Sequence, residues 1–175
     1  MNRFVARAAI AVVLASTMST SVSAHATLEV REAALGATYK AVLRVPHGCE
    51  GEATHTVRVQ IPEGFFAVKP MPKAGWTLET VTGPYENTYV NHGTELTEGV
   101  KEIIWSGGDL KDEWYDEFVF RGTFADTLEP STFYFPAIQE CANGEAAWID
   151  TSGAEGVAHP APKLELVPAK DGHGH

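Results

Sequence analysis

The residue best able to do chemistry in this sequence is a histidine beside a processing site. The stretch SVSAHATLEV, residues 21–30, places His25 directly after Ala24. If cleavage follows Ala24, the α-amine and the imidazole of His25 can close a chelate ring on one ion, and two nitrogen donors suit Cu(II). The amine must lose its proton to bind, and copper, high in the Irving–Williams order, can drive that loss near neutral pH.

This chemistry depends on a leader that the first residues predict. Arg3 and Arg7 form a positive segment, residues 8–15 are almost wholly apolar, and small and polar residues follow. That order is typical of a secretory signal peptide, and the apolar run is shorter than the about 20 residues that span a membrane. We therefore expect residues 1–24 to be a signal peptide and the protein to be periplasmic or secreted.

Two cleavage points fit the sequence rules. Val22-Ser23-Ala24 permits cleavage after Ala24, which leaves His25 first, whereas Ala24-His25-Ala26 matches the A-x-A pattern and would remove His25. Sequence rules alone leave both open, so His25 is either a metal-binding terminus or a residue near a processing site.

The charge of the chain limits its partners. The formal net charge is −10 at pH 7, and loss of Arg3 and Arg7 with the leader makes the mature chain more negative. This argues against nucleic acid and anionic membranes as partners and is compatible with cations.

The sulfur-containing residues favour Cu(II) over Cu(I). An isolated pair, Cys49 and Cys141, in an exported chain most often forms one disulfide, worth roughly 4–5 kcal/mol in the chain-entropy model, while a thiolate metal site is the alternative. Met71 is the only methionine that remains after the leader is removed. A bridged chain would therefore offer few of the soft ligands that Cu(I) carriers use.

The sequence contains none of the common catalytic motifs. G-x-S-x-G, H-E-x-x-H, C-x-x-C and Gly-rich phosphate loops are absent. We therefore predict that the protein is not an enzyme.

The mature chain reads as all-β. Short segments of alternating or β-branched residues, bounded by turn signals, predict about nine strands and an antiparallel β-sandwich. They are residues 38–46, 54–62, 76–83, 85–93, 101–108, 116–124, 131–141, 146–151 and 163–168.

Turn residues separate these predicted strands. Gly83-Pro84 and Gly107-Gly108 predict turns, Asn143-Gly144 predicts a tight hairpin, and the Pro-rich stretch 69–76 predicts an exposed connection. Residues 169–175 form a polar tail whose His173 and His175 are either metal contacts or part of a flexible terminus.

Five motifs in order give the chain a family resemblance. They are AHATLEV (24–30), RVPHGCEGEATHTVRVQIPEG (44–64), KPMPKAGW (69–76), DEFVF (116–120) and FYFPAIQECANGEAAWID (133–150). Together they resemble the YcnI-like domain family, in its cysteine-containing proteobacterial form. The resemblance implies an immunoglobulin-like antiparallel β-sandwich over residues 25–168, located in the cell envelope, and a Cu(II) site called a mono-histidine brace.

The resemblance also implies a ligand set. His25 matches the N-terminal histidine, and Trp148 matches the tryptophan that lies close to the metal; Trp148 can equally be a core residue. Glu50 corresponds to the glutamate ligand of a V-P-x-E segment, which here reads Val45-Pro46-His47-Gly48-Cys49-Glu50.

The residues inserted in that segment leave alternatives open. Glu52 and Glu140 are rival carboxylates. His47 is either an additional ligand or a turn residue beside the disulfide.

The expected function is binding of Cu(II) outside the cytoplasm, for storage or for transfer. Members of the family often accompany genes for copper uptake or copper chaperones, so another envelope copper chaperone or a copper-transport membrane protein is an expected partner. One alternative is a copper-dependent oxidase or monooxygenase, which needs a second equatorial histidine from His47, His55, His92 or His159. Another is a metal-free envelope interaction domain.

Overall fold

The computed structural model describes residues 25–169, which form strands and no helix. The predicted signal peptide, the cleavage site and the tail histidines His173 and His175 lie outside these residues. No helix in this range is long and apolar enough to cross a membrane. The strands are β1 (Thr27–Leu28), β2 (Glu32–Ala34), β3 (Thr38–Val45), β4 (Thr54–Gln60), β5 (Phe65–Pro70), β6 (Thr77–Asn91), β7 (Thr94–Leu110), β8 (Asp116–Phe124), β9 (Thr132–Tyr134), β10 (Ala137–Cys141), β11 (Glu145–Trp148) and β12 (Lys163–Val167).

These strands form three sheets with one shared core. The strand orders are β1-β3-β8-β5, β11-β10-β4-β7-β6 and β2-β12-β9. Only the pairing of β2 with β12 is parallel; the others are antiparallel. Leu28, Val59 and Leu164, one from each sheet, are almost fully buried in the same hydrophobic cluster. The described residues therefore form the antiparallel β-sandwich that the alternating pattern predicts.

Aromatic side chains fill the centre of this core. Phe65, Phe120, Phe124 and Phe135 are at most 1% exposed. Their rings meet edge-on or tilted, with Phe65 and Phe124 centroids 4.7 Å apart and Phe65 and Phe135 centroids 5.1 Å apart. Burial of such large rings is the main apolar contribution to stability in a domain of this size.

Several sequence predictions match the observed strands closely. The predicted strands at 38–46, 54–62, 116–124 and 163–168 correspond to β3, β4, β8 and β12. The predicted hairpin at Asn143-Gly144 is confirmed, since β10 and β11 pair antiparallel on either side of it.

Two predicted turns are wrong. Gly83-Pro84 and Gly107-Gly108 lie inside β6 and β7, which pair with each other as one long hairpin. Because β6 is the edge strand of its sheet, there is no neighbouring strand on its open side whose hydrogen bonds Pro84 could remove. The register of β6 against β7 shifts just after Pro84. The predicted connection 69–76 also begins too early, since β5 continues to Pro70.

The two cysteines are joined. Cys49 and Cys141 form a disulfide with their Cα atoms 6.1 Å apart. This result decides between the disulfide and the thiolate metal site. The bond ties the segment after β3 to the end of β10, the first strand of the hairpin that ends at Trp148.

We expect loss of this disulfide to destabilise the fold strongly. The double variant Cys49→Ala, Cys141→Ala should lose about 2–5 kcal/mol of unfolding free energy, because the unfolded chain is no longer constrained. Urea unfolding of oxidised protein measures the loss. Dithiothreitol should lower the midpoint of the wild type and leave that of the double variant unchanged; equal midpoints for the two oxidised proteins would contradict the prediction.

Candidate metal centre

His25 is positioned by the short first strand. Thr27 pairs with Arg44 and Leu28 with Leu43 at the edge of the β1-β3-β8-β5 sheet. Continuing this antiparallel register by two residues sets His25 opposite Pro46, just after β3 ends. Ala26 is buried and His25 is half-buried, so the beginning of the described chain packs against the domain.

The ring of His25 contacts Trp148. Their ring centroids are 5.9 Å apart with an interplanar angle of 64°, an edge-to-face arrangement. Trp148 is the last residue of β11, pairs with Ala137 and is only 3% exposed. The structure therefore brings together two of the residues that the family resemblance implied for the site, and Trp148 is also a member of the core.

A buried glutamine fixes the indole from the other side. Gln139 is 1% exposed, and its Oε1 accepts a hydrogen bond from Trp148 Nε1 at 3.2 Å. Its Nε2 donates to the carbonyl oxygen of His47 at 2.5 Å and to Thr54 Oγ1 at 2.7 Å. Since an indole N–H can only donate, the orientation of the amide is determined. Gln139 thus links Trp148 to the segment that follows β3.

Sequence reasoning missed Gln139, although a signal existed. Gln139 falls at an inward position of β10, on the same face as the buried Ala137. A polar residue at a core position needs hydrogen-bond partners, so a glutamine at an inward position of a strand indicates a buried hydrogen-bond network.

A second histidine also lies on Trp148. The ring of His159 is 5.0 Å from that of Trp148 between centroids, with an interplanar angle of 76°. Asp150 N donates to His159 O at 3.3 Å, and Ala161 N donates to Asp150 O at 2.8 Å. Because Asp150 follows Trp148 by two residues, this backbone pairing brings the segment that contains His159 next to the indole of Trp148. The loop carries no periodic pattern, so nothing in the local sequence indicates this contact.

His47 is held by main-chain contacts. Its Nδ1 donates to the carbonyl oxygen of Gly48 at 2.7 Å and lies 3.8 Å from Asp112 Oδ1. In the neutral ring this places the proton on Nδ1 and leaves Nε2 as the nitrogen with a free lone pair. The contact is compatible with either reading of His47, a turn residue or an additional ligand through Nε2.

The inserted residues of the family segment form a tight turn. Cys49 and Glu52 exchange two backbone hydrogen bonds of 2.9 Å, and Glu50 and Gly51 have φ of +49° and +92°. Positive φ at both central residues defines a two-residue hairpin turn. A side chain at Gly48 would meet the Glu52 carbonyl oxygen at 1.9 Å, so only glycine fits there. The turn exposes Glu50.

Of the three candidate carboxylates, two are already engaged. Glu52 accepts hydrogen bonds from the side-chain amide and the backbone N–H of Asn143, which lower the pKa of its carboxyl. Glu140 lies 3.6 Å from Arg58 Nη1. Within residues 25–169, Glu50 has neither an ion pair nor a side-chain hydrogen bond, so its carboxylate is the one available to a cation.

The structure does not bring Glu50 to the His25–Trp148 pair. Glu50 lines a cleft of about 250 Å³ together with Glu52, Asn143 and Glu145. Glu145 and Trp148 are the two ends of β11, about 10 Å apart at the rise of a strand. Across the described range, no three His, Cys, Asp or Glu residues are grouped to hold a metal. The ligand set that the resemblance implies contains only two such residues, His25 and Glu50, because the α-amine of His25 supplies the third donor.

We expect Gln139 to be essential for the local packing. Gln139→Leu leaves Trp148 Nε1 and the His47 carbonyl oxygen buried without partners, which should lower the unfolding free energy by about 2–4 kcal/mol. Urea unfolding measures this loss. Gln60→Leu, at the exposed end of β4, is the matched control and should change stability by about 0.5 kcal/mol or less. Equal stabilities of the two variants would refute the role of Gln139.

Comparison with solved structures supports the fold. A crystal structure of an uncharacterized protein from Nocardia farcinica, described as immunoglobulin-like, is 26% identical, covers 81% of this chain and 97% of its own, and has a TM-score of 0.61. The fold of this chain is therefore immunoglobulin-like. A putative membrane anchored protein from Corynebacterium diphtheriae is 13% identical, with a TM-score of 0.41 over 84% of this chain and 34% of that protein.

Comparison by sequence identifies the family. No match to the chain is found among curated proteins. Residues 25–166 match the family model described as "Domain of unknown function (DUF1775)". Since these residues make up most of the chain, the protein belongs to the DUF1775 family, which is the YcnI-like domain family.

Proposed function

We propose that this protein is an exported Cu(II)-binding protein that stores the ion or passes it to another component of the cell envelope. The observation that carries the proposal is the contact between His25 and Trp148. It holds the ring of the first residue after the predicted leader against a buried, hydrogen-bonded indole. No reaction is proposed, and the ion is cargo.

The nitrogen donors of His25 support this function. Within the described residues, the ring of His25 makes no hydrogen bond to the protein, so both nitrogens are available. Cleavage after Ala24 would add the α-amine, and the amine and Nδ1 would then bind one ion as a chelate. A pair of nitrogen donors on one residue matches the ligand preference of Cu(II).

The surroundings of His25 support binding of a cation in fixed geometry. Trp148 is almost fully buried and its indole N–H is held by Gln139, so the indole would keep water from one side of the ion. The disulfide and the Gln139 amide join the segment after β3 to the β10–β11 hairpin. This bracing keeps Trp148 in place beside His25.

Glu50 is the proposed oxygen donor. Its carboxylate is free of protein partners in the described range, unlike those of Glu52 and Glu140. It lies in the exposed turn, toward the other end of the hairpin from Trp148. Coordination by Glu50 therefore requires this turn to move toward His25.

We expect copper binding to depend on the free amine and to be reported by Trp148. Mature protein that begins at His25 should bind one Cu(II) with quenching of tryptophan fluorescence. Acetylating the α-amine of His25 should weaken binding about 100-fold, because the amine is lost as a donor and the chelate cannot close. Trp148→Phe should remove the quenching, whereas Trp114→Phe, at an exposed position, should keep it.

The natural terminus provides the decisive control for this experiment. N-terminal sequencing of the secreted protein should begin at His25. A product that begins at Thr27, or equal affinity after acetylation of the α-amine, would overturn the amine chelate on which the proposal rests. Absence of tight Cu(II) binding by protein that begins at His25 would favour a metal-free interaction domain.

We expect the carboxylates to separate in a titration series. Glu50→Gln should weaken Cu(II) binding about tenfold or more, because a charged oxygen donor is replaced by a neutral one. Glu52→Gln and Glu140→Gln are matched controls that should bind like the wild type. Isothermal titration with a competing chelator measures all three; a loss confined to one of the controls would reassign the ligand.

A further inference from the structure

Two histidines from distant parts of the sequence share one indole. His25 precedes β1, and His159 belongs to the exposed loop between β11 and β12. Their ring centroids lie 5.9 Å and 5.0 Å from that of Trp148. Trp148 is therefore the one aromatic ring of the described chain that contacts two imidazoles.

The main chain at His159 is restrained while its side chain is free. The backbone pairing of Asp150 with His159 and Ala161 fixes where the residue lies. The residue is exposed, and in the described part of the chain its ring nitrogens have no hydrogen-bond partner. The imidazole can therefore rotate about its side-chain bonds without breaking a hydrogen bond to the protein.

The other histidines are less suited to join His25. Nδ1 of His47 is bonded to the Gly48 carbonyl oxygen at 2.7 Å, and Nδ1 of His55 to the Gly108 carbonyl oxygen at 2.8 Å. His92 has a φ of +49° between β6 and β7, at the turn of the long hairpin. Apart from His25, His159 is the only histidine of residues 25–169 whose ring contacts that of Trp148.

We infer that His159 supplies a second imidazole nitrogen to the copper ion held at His25; this inference rests on the proposed function. Cu(II) favours a tetragonal set of four nitrogen and oxygen donors. The amine and ring of His25 with one carboxylate provide three, which leaves one position open. A neutral imidazole from the loop that sets His159 against Trp148 fills that position.

The second imidazole changes how the site is closed. With His25 alone, the ion would be held by the N-terminal segment and one carboxylate. With His159 added, the ion also connects the N-terminal segment to the loop between β11 and β12. Release of copper would then require His159 to dissociate from the ion as well as His25.

Pulsed EPR tests the inference by counting imidazoles on Cu(II). Mature wild-type protein that begins at His25, loaded with one equivalent of Cu(II), should show modulation from two imidazoles. His159→Ala and His159→Gln should each show one and bind about tenfold more weakly. His92→Ala and His47→Ala are the controls and should keep both imidazoles.

The outcomes separate this inference from the proposed function. A wild type with one imidazole, or a His159 variant that keeps two, overturns the inference and leaves Cu(II) binding by His25 standing. Loss of the second imidazole in His47→Ala alone overturns it in favour of His47. Wild-type protein that binds no Cu(II) overturns both proposals.

Discussion

The amide of Gln139 is the interaction on which the arrangement of this region depends. It lies in the core, yet its amide nitrogen and oxygen are both satisfied, by the His47 carbonyl, the Thr54 hydroxyl and the Trp148 indole. A buried amide with an unpaired end would be strongly destabilising, so these partners must assemble together. The orientation of Trp148, and with it the surface offered to His25 and His159, follows from this one network.

The sequence predicted the parts of the fold that depend on local pattern. Alternating apolar and polar residues predicted β3, β4 and β8, and Asn143-Gly144 predicted the hairpin before Trp148. Both predictions held because side-chain period and turn chemistry are local properties. The turn predicted at Gly83-Pro84 was wrong, because a proline is tolerated within an edge strand and a sequence does not show which strand is at an edge.

The candidate site was predictable only in part, for a related reason. The contact of His25 with Trp148 agrees with the family resemblance, which carries long-range information that composition lacks. Gln139 depends on a pairing between segments far apart in sequence and was not predicted as a site residue. His159 was one of four histidines considered for a second equatorial ligand, and only the long-range pairing singles it out. Glu50 has a free carboxylate, but its turn places it toward the other end of the hairpin, and local pattern contains no measure of that separation.

The long strand β6 has a consequence for how these molecules behave at high concentration. A continuous row of free N–H and C=O groups on an edge strand is a template on which a second molecule can add a strand, the first step toward fibrils. β6 interrupts that row with Pro84, which has no N–H, and with register shifts at Val81–Thr82 and at Pro84–Tyr89. The same proline that led sequence reasoning to divide this strand in two therefore protects the domain against edge-to-edge aggregation.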